Sequence, residues 1–435
     1  MPRIRARLAF ATVGVAAGAL LGIAPSTALL PAAPSAAAGA CEPGTISFIP
    51  DAPPALAMLQ ADVVGSRATG KGVLVAIVDS GIDVGNPHLA PVVEGGVDLV
   101  GDGERADGLS DLRGHGTAIA GVIAAAQVPG SGLRGLAPDA RLFSVRVFRG
   151  DDDESVEAGF GPSVERMAEG IRVAVDRGAT VINVSMSDIP DDPGLAQAVE
   201  YARAHGSLVV ASGGNRSTSA STDDGPRYPG AYPGALAVGA ADAQGQPSDA
   251  SIHGPHIDVI APGQNVLSAA TGAGDCVYST DFPASSFATA YASAAAALVA
   301  EAHPEDGPDG WIYRLSASAA RADLDARDDA AGWGLIQPYD AITMLPDAST
   351  RGPESPFFDT SASAVRPAPG SVVLEHRAEP FVITKEFALV LGILAAAVLG
   401  SLGAFIVFRR QRDEPEGPTL AETTGGLLTR EVEAE

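Results

Sequence analysis

The chain has 435 residues, 46% hydrophobic and 19% charged, which is enough apolar material for a full core and excludes global disorder. Lys and Arg number 28 against 53 Asp and Glu, a formal charge of −25 with no basic stretch, which argues against a nucleic-acid partner. Cys41 and Cys276 are the two cysteines. They exclude a disulfide-dense scaffold or a cysteine-built metal cluster, and they allow one disulfide in an oxidising compartment.

Arg3, Arg5 and Arg7 precede an apolar run over 8–23, and an Ala/Pro/Ser stretch follows, ending Ala38-Gly39-Ala40. The pattern predicts a signal peptide over 1–40, because the run is shorter than the ~20 residues a membrane span needs. A Pro/Ala-rich extension covers 41–62. Short apolar runs at 73–78, 141–147, 179–184, 207–211, 235–239 and 257–260 read as buried parallel strands. Helical stretches fall between them at 117–127, 164–177, 194–205 and 287–303. This alternation over 63–345 predicts an α/β domain, a doubly wound parallel sheet with helices on both faces. The stretch 346–386, rich in Pro, Ser and Ala, reads as a linker. Residues 387–408 carry no charge and no proline and are long enough to cross a bilayer. Arg409, Arg410 and Arg412 follow, so the acidic tail 409–435 is expected in the cytoplasm and the rest outside it, a single-pass cell-membrane topology that the signal peptide also requires.

In open parallel sheets ligands bind beyond the carboxyl ends of the strands, so chemistry is sought there. Asp79 follows the run VLVAIV; alone it is equally a turn or cap residue. Asp83 and Asp98 are weaker loop candidates. His115 opens an apolar helix between Gly114 and Gly116, and of seven histidines only this one does so. Asn215 ends VVASGGN, where a carboxamide can donate to developing negative charge or simply occupy a turn. Ser286 precedes a long Ala-rich helix, as an N-cap or as a hydroxyl beside a helix N-terminus that favours an oxyanion.

Together these segments carry a resemblance. VAIVDSGID, GHGTAIAG, LRGLAPDARLFSVRV, VINVSMS, VVASGGN, VIAPGQNVLS and SSFATAYASAAAALV, in that order, resemble the subtilisin-like serine proteases along most of 63–345. The resemblance implies an Asp79-His115-Ser286 triad in the chain order Asp, His, Ser that the family shows. Ser286 would be the nucleophile, His115 the base and Asp79 its orienter, with the oxyanion hole formed by Asn215 and the Ser286 amide. It places Ser185, Met186, Ser187, Ser212 and Gly213 along the edges where an extended peptide substrate is bound. The family usually reads Gly-Thr before the serine, where this chain has Ala284-Ser285; a methyl at Ala284 is expected to crowd the site. The outer plan, with a short extension, one protease domain, a Pro-rich linker and one C-terminal span, resembles the mycosins of type VII secretion systems, as does the acidic insert 151–157. That resemblance implies processing of secreted proteins and association with the secretion membrane complex. The alternative is a catalytically weak or inactive structural subunit of that complex. Cys41 and Cys276 could pair and pin the extension near the active-site side. No cofactor is called for, and no metal ligands are named although calcium is common in the wider family. A phosphate-loop-like run at 65–72 lacks the final Ser/Thr and precedes a strand. Arg149-Gly150-Asp151 is a chance tripeptide in an acidic loop, and the sequon at Asn183 falls on a buried strand.

Overall fold

The computed structural model describes residues 46–188, 190–272, 274–358 and 382–412. Residues 1–45, which hold the expected signal peptide and Cys41, the part 359–381 of the expected linker, and the tail beyond 412 lie outside the described residues. The chain divides into two units, Met1–Ala364 and Val365–Glu435.

In the first unit the strands β1 (Leu74–Asp79), β2 (Val93–Asp98), β3 (Arg141–Arg146), β4 (Val181–Val184), β5 (Leu208–Ser212), β6 (Ala235–Ala241) and β7 (Val259–Pro262) form one sheet. Its order is β2-β3-β1-β4-β5-β6-β7, and every neighbouring pair is parallel. The strands β8 (Val266–Ala270) and β9 (Gly274–Tyr278) make a separate antiparallel hairpin. The helices are α1 (Pro54–Met58), α2 (Ala61–Val64), α3 (His115–Ala124), α4 (Asp153–Glu157), α5 (Val164–Asp176), α6 (Pro193–Ala204), α7 (Ser285–Ala302), α8 (Gly307–Ala317) and α9 (Pro338–Thr343).

Period-two geometry sends successive strand residues to opposite faces. Val75 and Ile77 of β1 therefore join the core layer that holds α1, α3 and α7, while Ala76 and Val78 join the layer that holds α5 and α6. Both faces are covered, so the strands read as nearly unbroken apolar runs. The central helix α7 has 18 residues, almost all buried. Its alanines favour the helix and keep its surface thin enough to approach the sheet closely. Ser163 and Asp192 cap α5 and α6 by accepting from the amides of Arg166 and Leu195. Pro193 opens α6, where its missing N–H costs nothing.

The fold class is the expected one, and the six expected strands occur within two residues of their expected starts. Strand β2 was not expected. Its run VEGGVD has no alternation, yet Gly96 is required there because a Cβ would lie 2.5 Å from the Asp107 carbonyl. In the second unit, α10 (Val382–Arg412) is a 31-residue helix. Its stretch Phe387–Arg409, 23 residues with mean hydropathy 2.5, is long and apolar enough to cross a membrane.

Candidate active site

Parallel strands put all their carboxyl ends at one edge. From β1 the chain crosses to β3 on one side and later to β4 on the other, so the crevice beyond β1 and β4 is the topological switch point. Asp79 is the last residue of β1, Ser185 follows β4, and Asn215 lies three residues beyond β5.

Asp79 is fully buried. Its Oδ1 accepts from the Ser80 amide at 2.8 Å and from His115 Nδ1 at 2.8 Å. With Nδ1–H donating there, His115 Nε2 carries the lone pair and can act as a base. Asp79 Oδ2 is buried with no donor among the described residues, which favours a positive partner beside this carboxylate. Burial opposes protonation of the imidazole. The charge and hydrogen bond of Asp79, with help from Asp111 and against Arg113, outweigh it and hold His115 above the ordinary histidine value.

Close backbone approach makes this pairing possible. A Cβ at Gly116 would sit 2.2 Å from the Gly81 carbonyl, and one at Gly81 (φ +113°) would sit 2.0 Å from the Ser110 carbonyl. Two glycines thus bring the start of α3 onto the turn after β1. A residue not singled out from sequence completes the joint. The buried carboxylate of Asp111 accepts from Ser80 Oγ (2.8 Å), the Gly114 amide (2.7 Å), the Thr117 amide (2.8 Å) and Thr117 Oγ1 (2.7 Å). It ties the residues on both sides of His115. Burial pushes its carboxyl upward, against these bonds. The available sequence signal was an acid four residues before the histidine in DLRGHGT.

Ser286 is the second residue of α7, with 7% of its surface exposed. Its N–H lies in the first turn, where no intrahelical acceptor exists. Its carbonyl accepts from Ser185 Oγ at 2.9 Å. Ser185 Oγ in turn accepts from Asn183 Nδ2 (2.9 Å), whose Oδ1 accepts from Ser293 Oγ (2.9 Å). The next residue, Phe287, packs its ring 6.2 Å from the His115 ring. Asn215 Oδ1 accepts from the Ser285 amide (2.8 Å) and from Ser285 Oγ (2.9 Å). Ser285 Oγ also pairs with Ser212 Oγ at 2.7 Å. With Oδ1 engaged, the Asn215 amide nitrogen is left as the donor. Ser285 thus sets the rotamer of Asn215. Ala284, with φ −121° and ψ 130°, has ordinary extended backbone, so its methyl group meets no backbone strain.

His115, Ser286, Asn215, Ser185, Met186, Ser187 and Ser212 all line one cleft of about 890 Å³. Gly213 instead belongs to the sheet: its amide donates to Val238 and its carbonyl accepts from His256 Nε2. Asp83 and Asp98 have local duties. Asp83 accepts from the Gly85 and Gly272 amides, and Asp98 pairs with the buried Arg146 at 2.8 Å. Cys276, on β9, is disulfide-bonded. Chemically, a hydroxyl at a helix N-terminus, an imidazole held by a buried carboxylate and an anchored carboxamide can open an amide bond by nucleophilic attack.

A sequence model of the Subtilase family, peptidase S8, matches residues 70–334. Mycosin-3 of Mycobacterium tuberculosis is 31% identical, with 89% of this chain and 91% of that protein aligned. Thermitase of Thermoactinomyces vulgaris is 37% identical over 48% of this chain and 70% of its own length. Among solved structures, MycP1 from Mycobacterium smegmatis superposes with a TM-score of 0.60 at 30% identity, covering 72% of this chain and 92% of that one. The MycP3 protease from the type VII (ESX-3) secretion system gives 0.57 at 30% identity, covering 69% and 89%. With its triad-like cleft built on the same fold, the chain belongs to the subtilase family and groups there with the mycosins: it is a subtilisin-like serine endopeptidase.

Proposed function

We propose that this endopeptidase is held to the cell membrane by α10, faces the outside of the cell, and processes secreted proteins of a type VII secretion system. In this reading Ser286 Oγ attacks the scissile carbonyl while His115 Nε2 takes its proton. Asp79 holds the imidazole and offsets the charge it gains. The Asn215 amide and the Ser286 N–H receive the oxyanion. Collapse to the acyl-enzyme expels the amine, which leaves with the proton from His115, and water then releases the acyl group by the same steps in reverse roles. An extended peptide lies along 185–187 by main-chain hydrogen bonds. The observation that carries the reading is the 2.8 Å bond between buried Asp79 and His115 at the mouth of the cleft that Ser286 and Asn215 share.

The reading assigns 1–40 to a signal peptide, 41–62 to a short extension, 63–345 to the catalytic domain, 346–386 to a linker, 387–408 to the span and 409–435 to a cytoplasmic tail. Cys41 is the partner it assigns to the disulfide of Cys276, which would tie the extension to β9. The secretion role of the relatives, as in the ESX-3 protease MycP3, supports the choice of system.

The test is Ser286→Ala in the full chain. Turnover of a general protein substrate should fall by about 10⁶-fold with the thermal midpoint unchanged. In a strain lacking the gene, secretion should return with the wild type and not with the variant. Full secretion with Ser286→Ala, and none after removal of 387–408, would favour the structural-subunit reading instead.

A further inference from the structure

Three arginines line the cleft, Arg113, Arg216 and Arg227. The first two are neutralised. Arg113 Nε lies 2.6 Å from Asp151, and Arg216 Nη2 lies 2.6 Å from Asp224. Arg227 has no ion-paired carboxylate among the described residues, although it is only 3% exposed. Its guanidinium is held by backbone carbonyls alone. Nη1 donates to Gly225 (3.2 Å) and Pro226 (3.1 Å), and Nη2 donates to Ser221 (3.0 Å) and Asp223 (2.8 Å). The fifth donor, Nε–H, is buried with no acceptor among the described residues. Burial lowers the affinity of this side chain for its proton, the sign of a charge short of solvation. Asp224 and Asp223 attract the charge from a distance and Arg216 repels it, but no carboxylate among the described residues pairs with it directly, and carbonyl dipoles fix where the charge sits without cancelling it.

Its place in the cleft is specific. A Cβ added at Gly214 would lie 3.0 Å from Arg227 Cγ and 3.4 Å from Ser187 Oγ. The stem of Arg227 therefore runs directly beneath the segment that leads from β5 to Asn215 and beside the segment that follows β4. If a scissile carbonyl rests between Ser286 and Asn215, with its peptide along 185–187, the side chain of the residue supplying that carbonyl drops between these two segments. Arg227 is the floor it meets. A carboxylate arriving there gains the attraction of the guanidinium charge. A neutral amide gains a dipole contact alone, and an ammonium is repelled.

We propose that Arg227 is the specificity-determining residue of this protease, selecting aspartate or glutamate at the position that supplies the scissile carbonyl. The proposal rests on the proteolytic reading above. It concerns selection and not the chemical step.

The test uses the full chain in detergent. A fluorophosphonate probe first reports whether Ser286 is reactive. A peptide library prepared from a digested proteome is then cleaved, and the new ends are identified by mass spectrometry. Matched peptides with Glu, Gln, Leu or Lys before the cut follow, at low and high salt. The expected result is an enrichment of Asp and Glu before the cut. The kcat/KM ratio of Glu to Gln should be at least about tenfold and should change little with salt, because the pair is buried. Arg227→Gln should bring that ratio close to one, and Arg227→Lys should keep part of it. Probe labelling with a Glu-to-Gln ratio near one, or a ratio unchanged in Arg227→Gln, overturns this proposal and leaves the proteolytic reading standing. No labelling and no cleavage overturn both. Should neither variant fold, the wild-type Glu-to-Gln ratio decides alone.

Discussion

In the proposed mechanism His115 is the base, and its environment makes a pH prediction. Burial alone would lower its pKa, but the adjacent Asp79 carboxylate raises it above the ordinary histidine value. Catalysis needs the neutral imidazole. The acid limb of the kcat/KM profile should therefore have a midpoint above about 6.5, with activity lost as pH falls through it. Asp79→Asn removes the charge and the tautomer lock, so the rate should fall by about 10⁴-fold and the midpoint should move down. Asn215→Ala should lower kcat by about 10²–10³-fold. Ser285→Ala should give a smaller loss in kcat at nearly constant KM, because it loosens the Asn215 carboxamide without removing it. Steady-state kinetics on one peptide checks all three. The placement of Asp79, His115, Asn215 and Ser286 was legible because each sits beside a strand end or a helix start in a spaced motif. Asp111 and Ser285 were not read as structural parts. Ser285 bonds to Asn215 and Ser212, 70 and 73 residues away, and Asp111 joins Ser80, 31 residues away, to the nearby Gly114 and Thr117, so no local pattern shows the whole set of partners.

Strands of the seven-stranded sheet were legible in proportion to their burial. Strands covered on both faces must be apolar throughout, so β1, β3, β4, β5, β6 and β7 announced themselves. Edge strand β2, half exposed and carrying two glycines, did not. The hairpin β8–β9 escaped notice because its burial is set by α3. Gly121 makes that contact: a Cβ there would lie 2.3 Å from Ser268 Oγ and 2.6 Å from the Ala269 amide. Gly121→Ala should force α3 away from β8 and destabilise the protein by roughly 1–3 kcal/mol, read as a lower denaturant midpoint. Activity should fall with it, because His115 rides on the same helix.

At the level of the whole molecule, buried charge and the long apolar stretch of α10 bear on behaviour. Asp258, near β7, has its carboxyl pushed up to about 7, chiefly by burial, with the Ala237 amide and Arg327 pulling the other way. An unfolded aspartate titrates near 3.9, so between about pH 4 and 7 the folded chain holds a proton that the unfolded chain has lost. This contribution to stability is full below about pH 4 and is lost as pH rises through about 7. Asp258→Asn should flatten that loss and gain about 1–2 kcal/mol at pH 8, since the side chain keeps some contact with solvent. Chemical denaturation at pH 4, 6 and 8 checks it. Deleting 387–408 should move the protein from the detergent-requiring membrane fraction to the soluble fraction, because it removes nearly all of Phe387–Arg409, the membrane-spanning candidate among the described residues. The most direct test treats the full chain in detergent with a fluorophosphonate and maps the adduct by mass spectrometry. One adduct on Ser286, absent from Ser286→Ala and suppressed in His115→Ala, is the predicted result. A folded chain left unlabelled beside a fully labelled subtilisin control would contradict the reading of Ser286 as an activated nucleophile.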